Sequence, residues 1–198
     1  ENEVVVFEME DTGKRNLQGL DKPILDSLGI DKNKPEKQQR NQTGSPILEE
    51  GDILLNTTLA ETSDWQQVDL PVVSTLRHFC IETLSSYTED NQACISEVDL
   101  LDDKGQPIDK TKWEVVYVSS EQADKNLGIA ENLFDGDISS FWHTDPATEP
   151  GQPHRIIVDI KEIYKISALR FKVRKGAFLS GKVKEINVYG RPQFFLFH

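Results

Sequence analysis

The chain has 198 residues, of which 37% are hydrophobic and 8% aromatic, enough to bury a core in one large domain or two small ones. Its formal net charge of −12 disfavours binding to nucleic acid, sulfated polysaccharide or anionic lipid head groups through general electrostatic attraction. No apolar run approaches the ~20 residues that a membrane-spanning helix needs. We therefore expect a neutral ligand or a cation as partner, with no nucleic acid and no membrane insertion.

Residues 1–50 show two different patterns. An apolar run from Val4 to Met9 predicts a strand, and the polar stretch from Asp31 to Gly44 is typical of a solvated loop. A short helix is expected between them, near Pro23 to Leu28. This N-terminal segment is either part of the main domain or a small separate element, and it is the surface that a protein partner would use.

From residue 51 onward, short runs rich in Val, Ile, Phe and Thr alternate with turn residues, which is the pattern of β-structure. Nine strands are predicted: Ile53 to Leu59, Gln66 to Leu70, His78 to Leu84, Cys94 to Leu101, Trp113 to Val118, Ile156 to Ile160, Ile166 to Val173, Val183 to Tyr189 and Phe194 to Phe197. Leu169, Phe171 and Val173 share one face of their strand, so that face should be buried. Residues 51–198 are therefore expected to form an all-β sandwich or barrel.

The only two cysteines, Cys80 and Cys94, fall in consecutive predicted strands joined by a polar turn. If these strands form an antiparallel hairpin, the two Cα atoms should be close enough for a disulfide. Two buried thiols are the alternative. The cysteine and histidine spacing does not suit a zinc site.

Four motifs occur in the order and spacing of a known family. They are AENLFDGDISSFWHT (130–144), PHRIIVDI (153–160), YKISALRFKVR (164–174) and GKVKEINVY (181–189). Together they resemble the successive strands and turns of the discoidin, or coagulation factor 5/8 type C, domains, which include the family 32 carbohydrate-binding modules. The resemblance implies a galactose-binding-like jelly-roll β-sandwich that binds a glycan and is secreted, periplasmic or on the cell surface.

Two upstream segments resemble the last strands of the same family, although here they come first. They are LRHFCIETLS (76–85) and ACISEVDLL (93–101). Either one domain is circularly permuted, or the end of one domain is joined to the start of another. We favour one permuted domain over residues 51–198, because two half-domains would each leave an open hydrophobic face.

The resemblance also implies a structural calcium ion at Asp135-Gly136-Asp137. A glycine between two aspartates allows a tight turn in which oxygens converge. By resemblance, Ser140 and Glu97 complete the shell. A turn without an ion is the alternative reading of Asp-Gly-Asp alone. A closed oxygen shell would leave no open position for chemistry.

A sugar-binding site is implied at the loops that carry His143, Arg174 and Phe178. Arginine offers a rigid fork of donors, a neutral histidine can accept or donate, and phenylalanine can stack on an apolar sugar face. Exposed side chains making ordinary surface contacts are the alternative for His143 and Arg174. By contrast, Phe141 and Trp142 are expected in the core, since they lie between the aspartate loop and a strand.

No catalytic motif accompanies these residues. The sequence contains no Gly-x-Ser-x-Gly, His-Glu-x-x-His or phosphate loop, and its acidic residues show no recognisable catalytic pairing. We therefore predict a non-catalytic module, of the kind that accompanies a glycosidase or lyase in a longer polypeptide. A cell-surface adhesion or protein-interaction module is the alternative, supported by the apolar tail from Phe194 to Phe197.

Overall fold

The structure is a computed structural model that describes residues 44–147, 151–174 and 180–198. The predicted strand at Val4 to Met9 and the predicted helix near Pro23 lie outside these residues. The strands are β1 (Pro46–Ile47), β2 (Ile53–Thr58), β3 (Gln66–Thr83), β4 (Cys94–Ile95), β5 (Glu97–Asp102), β6 (Glu114–Val118), β7 (Trp142–His143), β8 (His154–Lys172), β9 (Glu185–Arg191) and β10 (Leu196–Phe197). Short 3-10 helices span Glu50–Asp52, Asp124–Asn126 and Ala130–Phe134. The predicted all-β, galactose-binding-like sandwich is confirmed.

Two long strands, β3 and β8, organise the main sheet. Its order is β2-β9-β3-β8-β5, and β6 also pairs with β8. The first part of β8 pairs with β6 and its last part with β5, so β8 exchanges partners along its length. Between these parts Lys161 adopts a left-handed backbone with φ of 73°. The ladder between β3 and β8 shifts register near the same level, between Leu76 and His78.

The sequence predicted two separate strands in place of β3 and two in place of β8. The apolar alternation breaks at Val72 and Val73, which are exposed, and again at Glu162 and Ile163. Backbone pairing nevertheless continues past both breaks, because the bends and register shifts keep the ladder hydrogen-bonded. The side-chain pattern therefore predicted two strands in each place where the backbone forms one continuous strand.

One large apolar cluster fills the space inside the sandwich. Its largest fully buried members include Trp142, Phe79 and Phe171, and Leu169 faces the same core. Burying each such side chain contributes about 1.5–3 kcal/mol. The prediction that Phe141 and Trp142 pack inside is confirmed, since both are buried. The indole N–H of Trp142 donates to the carbonyl of Ser120 at 3.0 Å, so its polar atom is also satisfied.

A second, smaller cluster lies on the other face of the sheet. It contains Cys80, Ile157, Tyr189 and Phe195. The antiparallel pair β1–β10 adds a two-stranded sheet from the two ends of the described chain. Phe195, one residue before β10, is buried, so the tail contributes to the core as well as adding a strand.

The predicted pairing of the two cysteine-bearing strands is wrong. Cys80 lies in β3 between Ile157 of β8 and Tyr189 of β9, so both edges of β3 are already occupied at that level. Cys94 lies in β4, which pairs with β7 instead. Both cysteines are buried, and no disulfide joins them. Burial raises the pKa of the Cys80 thiol, and the nearby Glu82 carboxylate raises it further.

The upstream strands belong to the same sheet as the downstream ones. β3 pairs with β8 and β9, and β5 pairs with β8. The single domain over residues 51–198 stays a prediction. The permuted origin of that strand order stays a prediction.

Candidate functional site

The Asp-Gly-Asp loop follows the 3-10 helix Ala130–Phe134 and turns at Gly136, whose φ is 78°. The backbone N–H of Asp137 donates to Asp135 Oδ1 at 2.9 Å, which closes the turn. The buried hydroxyl of Ser140 lies beneath it. Ser140 Oγ is 2.6 Å from Asp135 Oδ2, 3.0 Å from the carbonyl oxygen of Asp137 and 3.5 Å from that of Asn132.

The Ser140 hydroxyl cannot donate to all three acceptors at once, since it carries one proton and can donate to only one of them at a time. The side chain of Asp137 is engaged elsewhere. Its Oδ1 accepts from the backbone N–H of Ser139 at 2.9 Å and from the Ser139 hydroxyl at 2.6 Å. Asp137 therefore presents its carbonyl oxygen to Ser140, whereas the sequence reasoning did not distinguish its carbonyl from its carboxylate.

Glu97 of β5 is the other predicted ligand, and its side chain is 1% exposed. No side chain donates a hydrogen bond to either carboxylate oxygen; Lys110 Nζ lies 3.6 Å from Oε1, and the backbone N–H of Gly136 faces the carboxylate. Burial raises the pKa of Glu97 to about 8; the Lys110 charge opposes this rise, and the Asp135 and Asp99 carboxylates add to it. The structure thus places a buried carboxylate within electrostatic reach of the Asp135 loop.

The oxygens present fit a calcium ion. In the described part of the chain no three His, Cys, Asp or Glu side chains form a metal cluster. The candidate donors are instead of mixed type: the Ser140 hydroxyl with the Asp135 carboxylate and the carbonyls of Asp137 and Asn132 around it, and the Glu97 carboxylate, on which the Asp135 charge acts. Hard oxygen donors of mixed type suit calcium, which accepts backbone carbonyls readily. The absence of nitrogen and sulfur donors disfavours zinc or copper.

His143 lies in β7 and is buried, with 6% of its surface exposed. Its Nδ1 is 2.5 Å from the carbonyl oxygen of Thr144, and its Nε2 is 2.7 Å from Ser180 Oγ. A carbonyl can only accept, so Nδ1 carries the proton, and Nε2 of a neutral ring accepts from the Ser180 hydroxyl. The sequence placed His143 at a loop end, but the structure gives it two protein contacts inside the fold.

Arg174 follows β8 at the edge of the same region. Its guanidinium carbon is 3.9 Å from the ring centroid of Phe141. The Phe141 ring is in turn 6.5 Å from the His143 ring in an edge-on arrangement. The structure therefore brings Arg174 and His143 against one buried aromatic ring. The third predicted residue, Phe178, lies outside the described residues.

The loop after β3 also borders this region. Sequence reasoning did not include this loop in the site, because it treated the loop only as a turn between two strands. Asp90 accepts a hydrogen bond from the backbone N–H of Gly181 at 3.0 Å, directly beside Ser180. The hydroxyls of Ser86 and Thr88 also donate to Asp90. Several turn-forming residues after Tyr87, among them Asp90 itself, were the available signal.

The same loop is tied to the strand ends that flank His143. The Thr144 hydroxyl donates to Gln92 Oε1 at 2.5 Å, and Gln152 Nε2 donates to the Gln92 carbonyl at 3.1 Å. His154 Nε2 lies 2.6 Å from the carbonyl oxygen of Asn91 and donates to it. Three loops thus meet at one end of the sandwich and hold each other by side-chain hydrogen bonds.

Comparison with known proteins locates the family likeness. Residues 115–193 match the family model of the F5/8 type C domain. A sialidase from Micromonospora viridifaciens is 33% identical over 84 residues, which is 41% of this chain and 13% of that protein. The chain therefore spans only a small part of this relative. Among the described residues no helix has the length and apolar character needed to cross a bilayer. The predicted resemblance to the F5/8 type C domains is confirmed over residues 115–193, the segment that holds β6 to β9, the Asp-Gly-Asp loop and Arg174.

Proposed function

We propose that this chain is a non-catalytic carbohydrate-binding module that binds a neutral glycan at the loop end of its β-sandwich. The observation that carries the proposal is the grouping of Arg174 and His143 around Phe141 within a segment that matches the F5/8 type C domain. A net charge of −12 favours a neutral ligand over an anionic one.

Each residue has a distinct part in this proposal. Arg174 donates to adjacent sugar hydroxyls through its planar fork, and stacking on Phe141 holds the guanidinium in place. His143 acts through Ser180, since Nε2 accepts from that hydroxyl and fixes its orientation. Phe178 supplies a ring against an apolar face of the sugar. Few contacts in a shallow site imply weak affinity.

A structural calcium ion is part of the same proposal. The buried Glu97 carboxylate and the acceptors around Ser140 support it. Once bound, calcium would supply charge compensation for Glu97 and Asp135 and hold the loop against β5. Because the ion binds only the folded chain, it stabilises the fold by mass action.

The module is proposed to act outside the cytoplasm and within a longer polypeptide. Sialidase is the printed name of a relative of which this chain matches 13%, so that activity is not transferred to this chain. The match to a binding-domain family and the absence of a catalytic motif support a targeting role beside a separate enzyme domain.

The test starts with a glycan-array screen of the purified chain, followed by calorimetry with the best neutral glycan. Arg174→Ala and Phe178→Ala should each abolish detectable binding. Lys165→Ala is the matched control, since Lys165 is exposed, lies in the middle of β8 and carries the same charge as Arg174. If the Arg174→Ala and Phe178→Ala variants both bind the glycan as tightly as the parent chain, the binding site lies elsewhere.

Protein adhesion is the second candidate function. Phe194 and Leu196 are each 57% exposed, which gives the tail an apolar surface that a protein partner could cover. If no glycan binds, and a double Phe194→Ser, Leu196→Ser variant loses cell or protein adhesion that the parent chain shows, this candidate replaces the first.

A further inference from the structure

Lys110 reaches from the loop after β5 back over that strand. Its ammonium nitrogen is 2.5 Å from Asp99 Oδ1, 3.6 Å from Glu97 Oε1 and 3.2 Å from the carbonyl oxygen of Val98, to which it donates. The side chain is only 18% exposed. A single cation thus lies between the two carboxylates that β5 carries on this face.

Asp99 and Glu97 differ in how many cations balance their negative charge. Asp99 also accepts from Arg170 Nη2 at 2.6 Å, so it is paired with two cations. Among the described residues Lys110 is the only cation that forms an ion pair with Glu97, and no side chain donates a hydrogen bond to it. If Glu97 turned to a bound metal ion, Lys110 would still keep its contacts with Asp99 and Val98.

We propose that Lys110 is the internal counter-cation of the ionised Glu97 carboxylate and that it lowers the affinity of this site for a divalent cation. This inference rests on the calcium part of the proposed function. Two effects act in the same direction. The ammonium attracts Glu97 before the ion arrives, and it repels a doubly charged ion once Glu97 coordinates it. Both groups are largely buried, so solvent and salt screen these forces less than at a surface.

The test removes the charge of Lys110 and keeps its length. Lys110→Met is compared with the parent chain and with Lys112→Met, which makes the same charge change at an exposed position two residues away. Each chelator-treated chain is titrated with calcium chloride by calorimetry at low ionic strength and at the same pH for every protein.

Lys110→Met is expected to bind calcium about threefold to tenfold more tightly, and Lys112→Met within about twofold of the parent chain. Lys110→Arg, which keeps the charge, should bind more weakly than Lys110→Met. A purely structural role would lower the melting temperature of the ion-free chain and leave calcium affinity unchanged, so the affinity is the deciding measurement.

Equal or weaker calcium binding by Lys110→Met overturns the inference while leaving a calcium site in place. If Lys110→Met does not fold, Lys110→Gln is subject to the same comparison. Absence of calcium binding in the parent chain overturns both this inference and the calcium part of the proposed function. Glycan binding is measured separately, so a failed sugar site does not affect the outcome.

Discussion

The guanidinium of Arg174 lies over the ring of Phe141, with 3.9 Å between the guanidinium carbon and the ring centroid. Phe141 is buried, so one face of a core side chain supports a residue at the edge of the candidate binding site. Such a contact contributes about 0.5–2 kcal/mol, depending on how far it is desolvated.

Replacing Phe141 by Leu should therefore affect both stability and binding. Loss of the ring and imperfect repacking should lower the free energy of unfolding by about 1–2 kcal/mol, measured by urea denaturation. Glycan affinity should fall because Arg174 loses its support. The Arg174→Ala variant should lose binding with a smaller change in stability. If Phe141→Leu kept the parent affinity, Arg174 would not depend on this contact.

Calcium should raise the melting temperature of the chelator-treated chain, and Ser140 should be needed for the full effect. At an ion concentration about 1,000 times Kd the gain is about 4 kcal/mol. Ser140→Ala removes the hydroxyl at the centre of the convergent oxygens and should reduce the shift. Ser139→Ala, next to it on the exposed side of the loop, should keep it. Similar losses in both variants would argue against the site.

The pKa of Glu97 predicts how stability depends on pH without calcium. The folded-state pKa is raised from 4.5 to about 8, so the folded chain holds a proton that the unfolded chain has released. The free energy of unfolding should therefore fall as pH rises through this window, by at most roughly 5 kcal/mol. Glu97→Gln should flatten this part of the profile. If the free energy of unfolding of Glu97→Gln fell equally steeply with pH, another titratable group would be its cause.

Gly128 should not tolerate a side chain. A Cβ atom there would lie 2.9 Å from His143 Cβ and 3.0 Å from the His143 backbone nitrogen. Gly128→Ala should cost about 1–3 kcal/mol through overpacking and should weaken glycan binding by displacing β7. Gly51→Ala is the control, because a Cβ at that position meets no atom within 4 Å. Thermal unfolding of the two variants gives the comparison.

The sequence predicted the strands and much of the core because alternation of apolar residues reports which face of a strand is buried. Leu169 and Phe171 lie where that pattern places them. The apolar pattern could not predict which strands pair, because pairing depends on the order of the strands in the sheet. Cys80 and Cys94 are near in sequence, yet β8 and β9 already flank Cys80, so β4 pairs elsewhere. The local sequence pattern does not show that strands far along the chain pair with both edges of the strand that carries Cys80.

The candidate site was predictable as residue types but not as contacts. The resemblance identified Asp137, and only the structure shows that its carbonyl, not its carboxylate, faces Ser140. The same holds for His143, whose two ring nitrogens are engaged by Thr144 and Ser180. Such details depend on side-chain rotamers and backbone turns that sequence spacing does not determine.

The exchange of partners along β8 bears on how the domain comes apart. Because one strand pairs with β6 in its first part and with β5 in its last part, and with β3 in both, separating β8 from β3 would strip hydrogen bonds from both parts of that strand. We therefore expect the β5 side, which carries Glu97, and the β6 side to unfold as one cooperative unit. Energy gained by an ion near Glu97 would protect amide hydrogens from exchange across the whole sheet, including those beside Cys80.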